Sequence, residues 1–557
     1  MIEFVSANLA PLLFASVVFF LLSGFPVAFS LAACGLFFGF IGIELGLLPA
    51  AMLQAIPLRV FGIMQNETLL AIPFFTLMGL VLERSGMAED LLDTVGQVFG
   101  PIRGGLALAV VFVGALLAAT TGVVAASVIS MGLISLPIMM RYGYSRPVAC
   151  GVITAAGTLA QAIPPSLVLI VMADQLGRSV GEMYRGAFFP AFTLVGLYAL
   201  YIIALTIFRP KTVPGLPPEA ITFREPSGRT GHRSLFAFFA MITALAVGFA
   251  QLYPGLIGAE SVARDELVVV SLTFAAAIAL TLAGVNHVFK LGLLSRMAEQ
   301  VTFVLVPPLA LIFLVLGTIF LGIATPTEGG AMGATGAMIM ALARRRLDMK
   351  TLVQALESTT KLSVFVMFIL IGSTVFSFTF NAVDGHIWVE HLFDKLPGGE
   401  LGFLIFVNTV IFFLGCFLDF FEIAFILVPM LAPVAENMGI DLIWFGIILA
   451  INLQTSFLTP PFGFALFYLR SVAPINHYLD RLSQKRIEGI KTTDIYRGSI
   501  PYIIIQVILI AVLIAFPELI TGNLEKKVDV DLDTIQIAPP PGGSGWGEGS
   551  GGTSGWD

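Results

Sequence analysis

Two double prolines lie inside long apolar stretches, and they limit the possible fold more than any other feature of the chain. The first is Pro164-Pro165 and the second is Pro460-Pro461, so the two pairs are 296 residues apart. A proline inside a helix removes a backbone hydrogen bond and clashes with the preceding turn. In lipid, such a break is tolerated only where the freed backbone is buried in protein or lines a wet cavity. Breaks at matching places in two halves are typical of the binding site of a secondary transporter.

The composition sets the broad class. Of the 557 residues, 57% are hydrophobic and only 12% are charged, whereas a soluble protein carries about 25% charged residues. We therefore predict an all-α polytopic membrane protein. No P-loop and no G-x-G-x-x-G after a strand is present, which argues against ATP hydrolysis. The three cysteines and five histidines show no metal-ligand spacing, so we predict no transition-metal site, no cofactor and no enzymatic activity. The N-terminus lacks the features of a signal peptide and is predicted to be a first spanning helix.

Sequence matches at the same offset continue beyond the prolines. Pro137 corresponds to Pro433, and Gly143 to Gly439. The triplet Tyr184-Arg185-Gly186 recurs as Tyr496-Arg497-Gly498 after an insertion. A few small residues coincide easily, but matches in order at nearly one offset over most of each half do not. The pattern indicates an internal duplication.

The duplication divides the chain into four predicted parts. The first repeat covers 1–208, with an interrupted run at 104–141 and a broken helix at 147–175. A linker at 209–300 contains two extra spans. The second repeat covers 301–520, with an interrupted run at 401–437 and a broken helix at 442–472, and a tail follows at 521–557. The tail is acidic and rich in Pro, Gly and Ser, and a segment of this composition is predicted to be disordered.

The topology depends on how the interrupted runs are interpreted. They are either pairs of full spans or re-entrant hairpins, and their limbs of about 15–18 residues fall short of the roughly 20 needed to cross. Hairpins would leave five crossings in each repeat and would invert the second repeat. One face then collects all but seven of the 29 Lys and Arg residues. By the positive-inside rule that face is cytoplasmic, and both termini are predicted to be periplasmic.

Each break is predicted to form one site. An unwound helix frees backbone carbonyls for Na⁺, nearby hydroxyls add ligands, and helix N-termini favour an anionic substrate. The candidate residues of site 1 are Thr120, Thr121, Gly122, Ser127, Thr158, Pro164, Pro165 and Ser166. Those of site 2 are Asp419, Asn452, Thr455, Ser456, Thr459, Pro460 and Pro461.

Simpler interpretations compete with these site assignments. The proline pairs could be plain bends, and Thr120, Thr121 and Ser127 could serve close helix packing. Asp419 is an acid inside an apolar run, which suggests function, but with Glu422 it also has the spacing of a helix capping box. The sequence does not decide between these two roles for Asp419. Glu328, three residues after Thr325, is predicted to be a cap.

Several stretches jointly resemble one transporter family. They are Leu69-Leu70-Ala71-Ile72-Pro73-Phe74-Phe75, Gly157-Thr158 through Ser166, Ala324-Thr325-Pro326-Thr327-Glu328, Gly415 to Asp419, and Asn452 through Gly463. Together they are similar to the large, DctM-like membrane subunit of tripartite ATP-independent periplasmic (TRAP) transporters.

The resemblance implies Na⁺-driven symport of organic acids, often dicarboxylates, across the bacterial inner membrane by an elevator mechanism. It implies two inverted repeats and two partners, a small four-helix membrane subunit and a periplasmic substrate-binding protein, and it gives no reason to expect a nucleic-acid partner. A stand-alone symporter of Na⁺ and di- or tricarboxylate anions is the alternative. A channel or antiporter is disfavoured because almost all Lys, Arg and His lie in loops or at span ends. No Arg or Lys sits at either break, so the sequence does not name the substrate.

Overall fold

The structure is a computed structural model that describes residues 2–220, 231–258, 264–394, 397–480 and 484–522, together with Val262 and Leu524. The described chain is helical apart from one two-stranded antiparallel ribbon, β1 (Tyr478–Leu479) with β2 (Arg486–Ile487). One compact unit ends at Asn523. Almost all of the predicted tail, 521–557, lies outside the described residues.

Eleven helices precede the linker. They are α1 (Ile2–Ala7), α2 (Leu9–Leu22), α3 (Val27–Glu44), α4 (Ala55–Met64), α5 (Ala71–Arg84), α6 (Met87–Phe99), α7 (Gly105–Thr121), α8 (Val124–Arg141), α9 (Arg146–Thr158), α10 (Leu167–Gln175) and α11 (Val180–Phe208). Helices α7 and α8 are the limbs of the first interrupted run, and α9 and α10 are the halves of the first broken helix. The interruptions predicted from the sequence are present.

The linker and the second half supply the remaining helices. The linker contains α12 (His232–Ile257) and α13 (Arg264–Phe289). The second half contains α14 (Arg296–Phe320), α15 (Pro326–Ala343), α16 (Met349–Ala382), α17 (Gly385–Asp394), α18 (Gly399–Leu414), α19 (Phe420–Asn437), α20 (Leu442–Phe457), α21 (Phe464–Val472), α22 (Thr492–Ala515) and α23 (Glu518–Thr521). Its order of helices repeats that of the first half.

Length and hydropathy identify the membrane-spanning candidates. Among the described residues, nine helices are long and apolar enough to cross a membrane, and the segment 50–84, bent by 46° near residue 65, is a tenth candidate. The chain is therefore an all-α polytopic membrane protein, as predicted. The hairpin limbs α7, α8, α18 and α19 have 17, 18, 16 and 18 residues. Because α8 and α19 are among the nine candidates, limb length does not decide between full spans and re-entrant hairpins.

The two halves pack against each other reciprocally. Helix α3 runs along α16, and its counterpart α15 runs along α5, the counterpart of α16. We call α3, α5, α15 and α16 the four-helix group. In the same way, α10 packs on α19 and α20, while α21 packs on α8 and α9. We call α7–α10 with α18–α21 the hairpin unit. Each of these contacts recurs with the roles of the two halves exchanged, which is the pattern expected of two copies related by a two-fold axis.

One contact locates that axis. The Gln454 amide donates to the Thr158 hydroxyl over 3.5 Å, and these residues are 296 apart in the sequence, the offset of the two proline pairs. A residue that touches its own counterpart lies at a two-fold axis. The flanking contacts agree, because Gly498 approaches the backbone of Gly151 while its counterpart Gly186 approaches Ile447, the position matching Gly151. The boundaries and inverted orientation of the repeats stay predictions.

Two elements differ from the expectations. Helix α4 and the 3₁₀ turn Ala50–Gln54 before it bury none of their residues. The sequence did not predict them, because it has no strong helical periodicity of apolar residues and no capping residue there. Helix α16 begins at Met349, where Asp348 accepts a hydrogen bond from Thr351 N at 2.8 Å, rather than near residue 362 as hydropathy indicates. Its first three turns are polar, and a hydropathy pattern reports only the apolar part of a helix.

Candidate functional site

The first break separates α9 from α10. We define break 1 as residues 159–166, which contain the 3₁₀ turn Leu159–Gln161 and the prolines Pro164 and Pro165. Because the prolines have no N–H, the carbonyls four residues earlier, on Ala160 and Gln161, lose their helical donors. Ser166 compensates for one of them, since its hydroxyl donates to Gln161 O at 2.8 Å and also accepts from Val168 N at 3.2 Å. Ser166 therefore caps α10 and leaves the Ala160 carbonyl without the donor that a regular helix supplies.

The tip of the first hairpin meets this break. We define tip 1 as residues 120–123, where Gly122 ends α7 in the left-handed conformation with φ of 60°. A Cβ at Gly122 would lie 3.1 Å from the Leu167 side chain and 3.5 Å from Leu167 N. The tip thus lies against the first residue of α10. A glycine is favoured here because other residues rarely adopt this conformation.

The hydroxyls of site 1 keep lone pairs available. Thr120 and Thr121 both donate to Leu117 O at 2.9 Å, and Thr158 donates to Ala155 O at 2.9 Å. The oxygens of Thr121 and Ser127 lie 2.8 Å apart. A hydroxyl that donates its hydrogen bond to a backbone carbonyl can still accept through its oxygen lone pairs. All four side chains are at most 4% exposed, so the set offers a dry cluster of oxygens suited to a hard cation.

The second break repeats the arrangement. We define break 2 as residues 458–463, with Pro460 and Pro461 between α20 and α21. The prolines remove the helical donors of the carbonyls of Ser456 and Phe457. Thr455, Ser456 and Thr459 donate their hydroxyls to carbonyls one turn earlier at 3.0, 3.1 and 2.9 Å. Site 2 therefore presents the same chemistry as site 1, with hydroxyl lone pairs beside interrupted backbone.

The tip of the second hairpin meets break 2. We define tip 2 as residues 415–419 between α18 and α19. A Cβ at Gly415 would lie 2.8 Å from Ser456 Oγ, and the rings of Phe417 and Phe462 have centroids 4.9 Å apart. Asn452 reaches the same hairpin limb, because its amide donates to Asn408 O at 2.6 Å and lies 3.1 Å from Asn408 Oδ1. Each break is thus covered by the tip of the hairpin from its own half.

Asp419 caps α19. Its carboxylate accepts from Phe420 N at 2.8 Å, and Glu422 accepts from Asp419 N at 2.9 Å, which completes a capping box. The same box is formed by Thr325 and Glu328 at the start of α15. The capping interpretations of both acids are therefore confirmed. A second role of Asp419 in an ion site stays a prediction.

A buried polar network joins the two sites, and the sequence reasoning missed it. Gln506 donates to Tyr198 OH at 2.6 Å, and Gln454 lies 3.5 Å from the same hydroxyl as well as from Thr158 Oγ1. The three members Tyr198, Gln454 and Gln506 are fully buried. The only available signal was the position of Gln454 between Asn452 and Thr455, because its partners are 256 or more residues away in sequence.

The sites differ in exposure. Residues 162–166 of break 1 are all buried, whereas Pro461 and Phe462 of break 2 are exposed. A crevice of about 740 Å³ extends along tip 2 and is walled by the turn between α2 and α3 and by α16. We call this space the tip-2 crevice.

The two tip regions contact different helices of the four-helix group, tip 1 on α5 and the residues after tip 2 on α16. Arg84 at the end of α5 donates to Ser358 of α16 at 2.6 Å, which places these two positions at one level. Tip 1 touches α5 at Gly79, five residues from Arg84. At tip 2, the Phe421 ring lies 6.3 Å from that of Phe365, seven residues from Ser358. At 1.5 Å per residue, the two contacts lie about 8–11 Å along their helices from this level.

Comparisons with known proteins agree with the geometry. The family model described as "Tripartite ATP-independent periplasmic transporter, DctM component" matches residues 14–290 and 267–519. A C4-dicarboxylate TRAP transporter large permease from Pseudomonas aeruginosa is 27% identical over 420 residues, which cover 75% of this chain and 81% of the relative. The large permease of a sialic acid TRAP transporter from Vibrio cholerae is 23% identical, with 89% and 94% covered. An isethionate TRAP transporter permease from Oleidesulfovibrio alaskensis is 25% identical, with 85% and 62% covered.

A solved structure shares the fold. The YdaH transporter of Alcanivorax borkumensis superposes with a TM-score of 0.50 at 14% identity, covering 86% of this chain and 91% of that one. All the relatives named here are permeases or transporters. They support the prediction that the chain is a transport protein and not an enzyme.

Proposed function

Because this chain belongs to the DctM-component family of tripartite ATP-independent periplasmic transporters, we propose that it is the subunit that couples Na⁺ entry to the import of an organic anion. Membership makes it a multi-pass protein of the bacterial inner membrane and part of a secondary transporter. The finer proposal concerns the coupling ion, the substrate class and the movement. One observation carries it: two interrupted helices, each lined by hydroxyl oxygens and covered by a hairpin tip.

The donor set suits Na⁺. Hard cations prefer oxygen ligands, and interrupted helices of transporters offer Na⁺ their unwound carbonyls. Thr120, Thr121 and Thr158 contribute hydroxyl oxygens at site 1, and Thr455 and Ser456 contribute them at site 2. Asp419 is the one carboxylate in the two predicted sets, so the sites rely mainly on neutral oxygens. Such sites suit a monovalent cation that must also leave.

The energetics are sufficient without ATP. A tenfold Na⁺ gradient supplies about 1.4 kcal/mol per ion, and a potential of 100 mV adds about 2.3 kcal/mol for each net charge moved. Two Na⁺ with a dianion move no net charge and leave roughly 2.8 kcal/mol, or about 100-fold accumulation. A monoanion would gain the potential term as well.

The substrate class follows from the relatives and from the site. Relatives of this chain are named for C4-dicarboxylates, sialic acid and isethionate, all of which are organic anions. Helices α10 and α21 begin directly after the two breaks. The free N–H groups at the start of a helix favour binding of a negatively charged group. We therefore assign organic acids, with carboxylates foremost, as the substrates of this chain.

We propose an elevator movement, in which the hairpin unit slides along the four-helix group. On the predicted topology both termini are periplasmic, and the end of the four-helix group that carries Arg84, Arg344 and Lys361, which we call the basic end, is cytoplasmic. Because Lys361 lines the tip-2 crevice, we infer that the crevice opens to the cytoplasm. The arrangement described here is then inward-facing, with site 1 closed and site 2 accessible. Family membership also suggests a small four-helix membrane subunit and a periplasmic binding protein as partners.

The proposal is tested by Na⁺-dependent uptake in proteoliposomes that hold the chain with its membrane partner, with the binding protein added outside. The variants Pro164→Ala/Pro165→Ala and Ser456→Ala/Thr459→Ala should lose Na⁺-dependent uptake while still inserting into the membrane. Thr243→Ala is the matched control, because Thr243 in α12 makes the same kind of bond to its own helix, to Phe239 O at 2.8 Å. Unchanged Na⁺ dependence in both double variants would contradict the site assignment. Full uptake without the binding protein would instead support a stand-alone symporter.

A further inference from the structure

The tip-2 crevice contains one cation that the sequence reasoning did not connect with the binding site. Its lining is mostly apolar, and the charged residues among those that line it are Lys361 and Glu422. Lys361 lies on α16, one turn before Phe365, and its side chain is exposed. Phe365 in turn contacts Phe421 beside tip 2. A positive charge thus lies in the space along tip 2, whose Phe417 ring contacts Phe462 of break 2.

The charge of Glu422 is already engaged. Its Oε2 atom accepts from Asp419 N at 2.9 Å as part of the capping box. A carboxylate fixed at a helix N-terminus is stabilised there by the helix dipole. Lys361 instead belongs to the four-helix group, on the opposite wall of the crevice. An anion in the crevice would find Lys361 as the cation among its described lining residues.

The position suits binding more than a purely topological role. Apolar binding sites usually fix their ligands with a few polar groups, and an ionisable residue that faces a membrane cavity is by default a functional candidate. Lysine presents a compact positive charge with three hydrogen-bond donors, which can bind carboxylate or sulfonate groups in several geometries. By contrast, Lys350 lies near the start of the same helix and does not line the crevice.

We propose that Lys361 binds the anionic group of the transported organic acid in the tip-2 crevice, between break 2 and the basic end of the four-helix group. This inference rests on the proposed function, because it adds a substrate contact to the transport path assigned above. The contact is made by the four-helix group and not by the hairpin unit. A movement of the hairpin unit along the four-helix group would break this contact, so Lys361 assists the substrate in the present arrangement, on the inward-facing side.

The test measures anion binding on that side. Proteoliposomes hold the chain and its membrane partner, the binding protein is added outside, and labelled succinate, isethionate and N-acetylneuraminate are the probes. For the probe that wild type takes up with Na⁺, the same unlabelled anion is loaded inside and its half-inhibiting concentration is measured. Lys361→Gln and Lys361→Met should raise that concentration about tenfold, the size expected when a hydrogen bond from a charged group is lost. Lys361→Arg should stay close to wild type.

Two readouts separate a binding role from a structural one. The Na⁺ concentration for half-maximal uptake should stay unchanged in Lys361→Gln, and Lys350→Gln should leave both quantities unchanged. If the Lys361 variants show no uptake but elute as intact protein, direct binding of the labelled anion decides. Wild-type affinity in Lys361→Gln would overturn the proposal, and so would an unchanged internal half-inhibiting concentration. Failure of wild type to take up any probe with Na⁺ would instead count against the proposed function itself.

Discussion

The contact between Gly79 and tip 1 gives the sharpest test of movement between the two parts of the protein. Gly79 belongs to α5 of the four-helix group, and a Cβ there would lie 2.4 Å from Thr121 Cα and 2.6 Å from Thr120 O. Both atoms are backbone, so no side chain can rotate to make room. The variant Gly79→Ala should therefore destabilise the arrangement in which tip 1 touches α5, and should leave an arrangement with the tip elsewhere unaffected.

The size of the effect follows from overpacking. Inserting a methyl group into a close-packed contact costs about 1–3 kcal/mol. If the hairpin unit moves between two positions, this cost shifts their equilibrium about 5- to 150-fold away from the present one. The three atoms nearest to that Cβ all belong to Thr120 and Thr121 of tip 1. Because Thr120 and Thr121 are also site 1 residues, the position of the hairpin unit has to be measured directly and not through Na⁺-dependent uptake.

Cross-linking reports the position without any substrate. Phe365 lies in the four-helix group and Phe421 in the hairpin unit, with ring centroids 6.3 Å apart. A short bifunctional thiol reagent should therefore join the two cysteines of Phe365→Cys/Phe421→Cys in the present arrangement. The background carries serine in place of Cys34, Cys150 and Cys416. Adding Gly79→Ala should reduce the rate of cross-linking. Gly62→Ala in α4 is the matched control, because a Cβ at Gly62 would have nothing within 4 Å.

An unchanged cross-linking rate in folded Gly79→Ala protein would refute this reasoning. It would mean that tip 1 accommodates the methyl group by a local shift, and that its contact with α5 does not depend on the position of the hairpin unit. The elevator proposal would then lose its structural support, although the site assignment would remain.

Two further predictions concern stability and the role of Asp419. Gly498→Ala should lower the thermal unfolding midpoint in detergent, with a cost of about 1–3 kcal/mol, because its Cβ would lie 2.1 Å from Pro147 O. Gly196→Ala is the control and should not lower the midpoint, because a Cβ there would have nothing within 4 Å. Equal midpoints for both variants would contradict the packing argument. Asp419→Ala should cost about 1 kcal/mol through loss of the cap, whereas Asp419→Asn should retain it, because Asn caps helices as well as Asp. A raised Na⁺ half-saturation in Asp419→Asn would assign the carboxylate to an ion site as well, and an unchanged value would leave it a cap.

Local chemistry explains what the sequence predicted well. Proline removes a backbone donor wherever it stands in a helix, so Pro164 and Pro460 predicted both breaks without knowledge of their neighbours. The capping boxes at Thr325 and Asp419 are equally local, since all their atoms lie within four residues. The repeat was visible because both copies need the same breaks at the same distances.

Contacts distant in sequence explain what it missed. Tyr198, Gln454 and Gln506 meet through helices from both halves, and no spacing along one segment encodes that meeting. The polar residues at the start of α16 hide the beginning of that helix from a hydropathy pattern, so Lys361 was not distinguished from the other cations in loops or at span ends. Once α16 is known to begin at Met349, Lys361 becomes a wall residue of the crevice. The unequal exposure of the two breaks depends on the position of the hairpin unit, which chain composition does not specify.

That unequal exposure is itself informative about mechanism. Breaks 1 and 2 have similar chemistry, and the contact of Thr158 with Gln454 agrees with the predicted two-fold relation between them. The burial of residues 162–166 and the exposure of Pro461 and Phe462 fit a placement of the hairpin unit against the four-helix group that covers one break and leaves the other open. Exchanging the roles of the two copies gives a second arrangement built from the same kinds of contact, with break 1 exposed and break 2 buried. Because the two arrangements would use equivalent packing, their free energies need differ by only a few kcal/mol, which lies within the range that bound Na⁺ and an organic anion can supply.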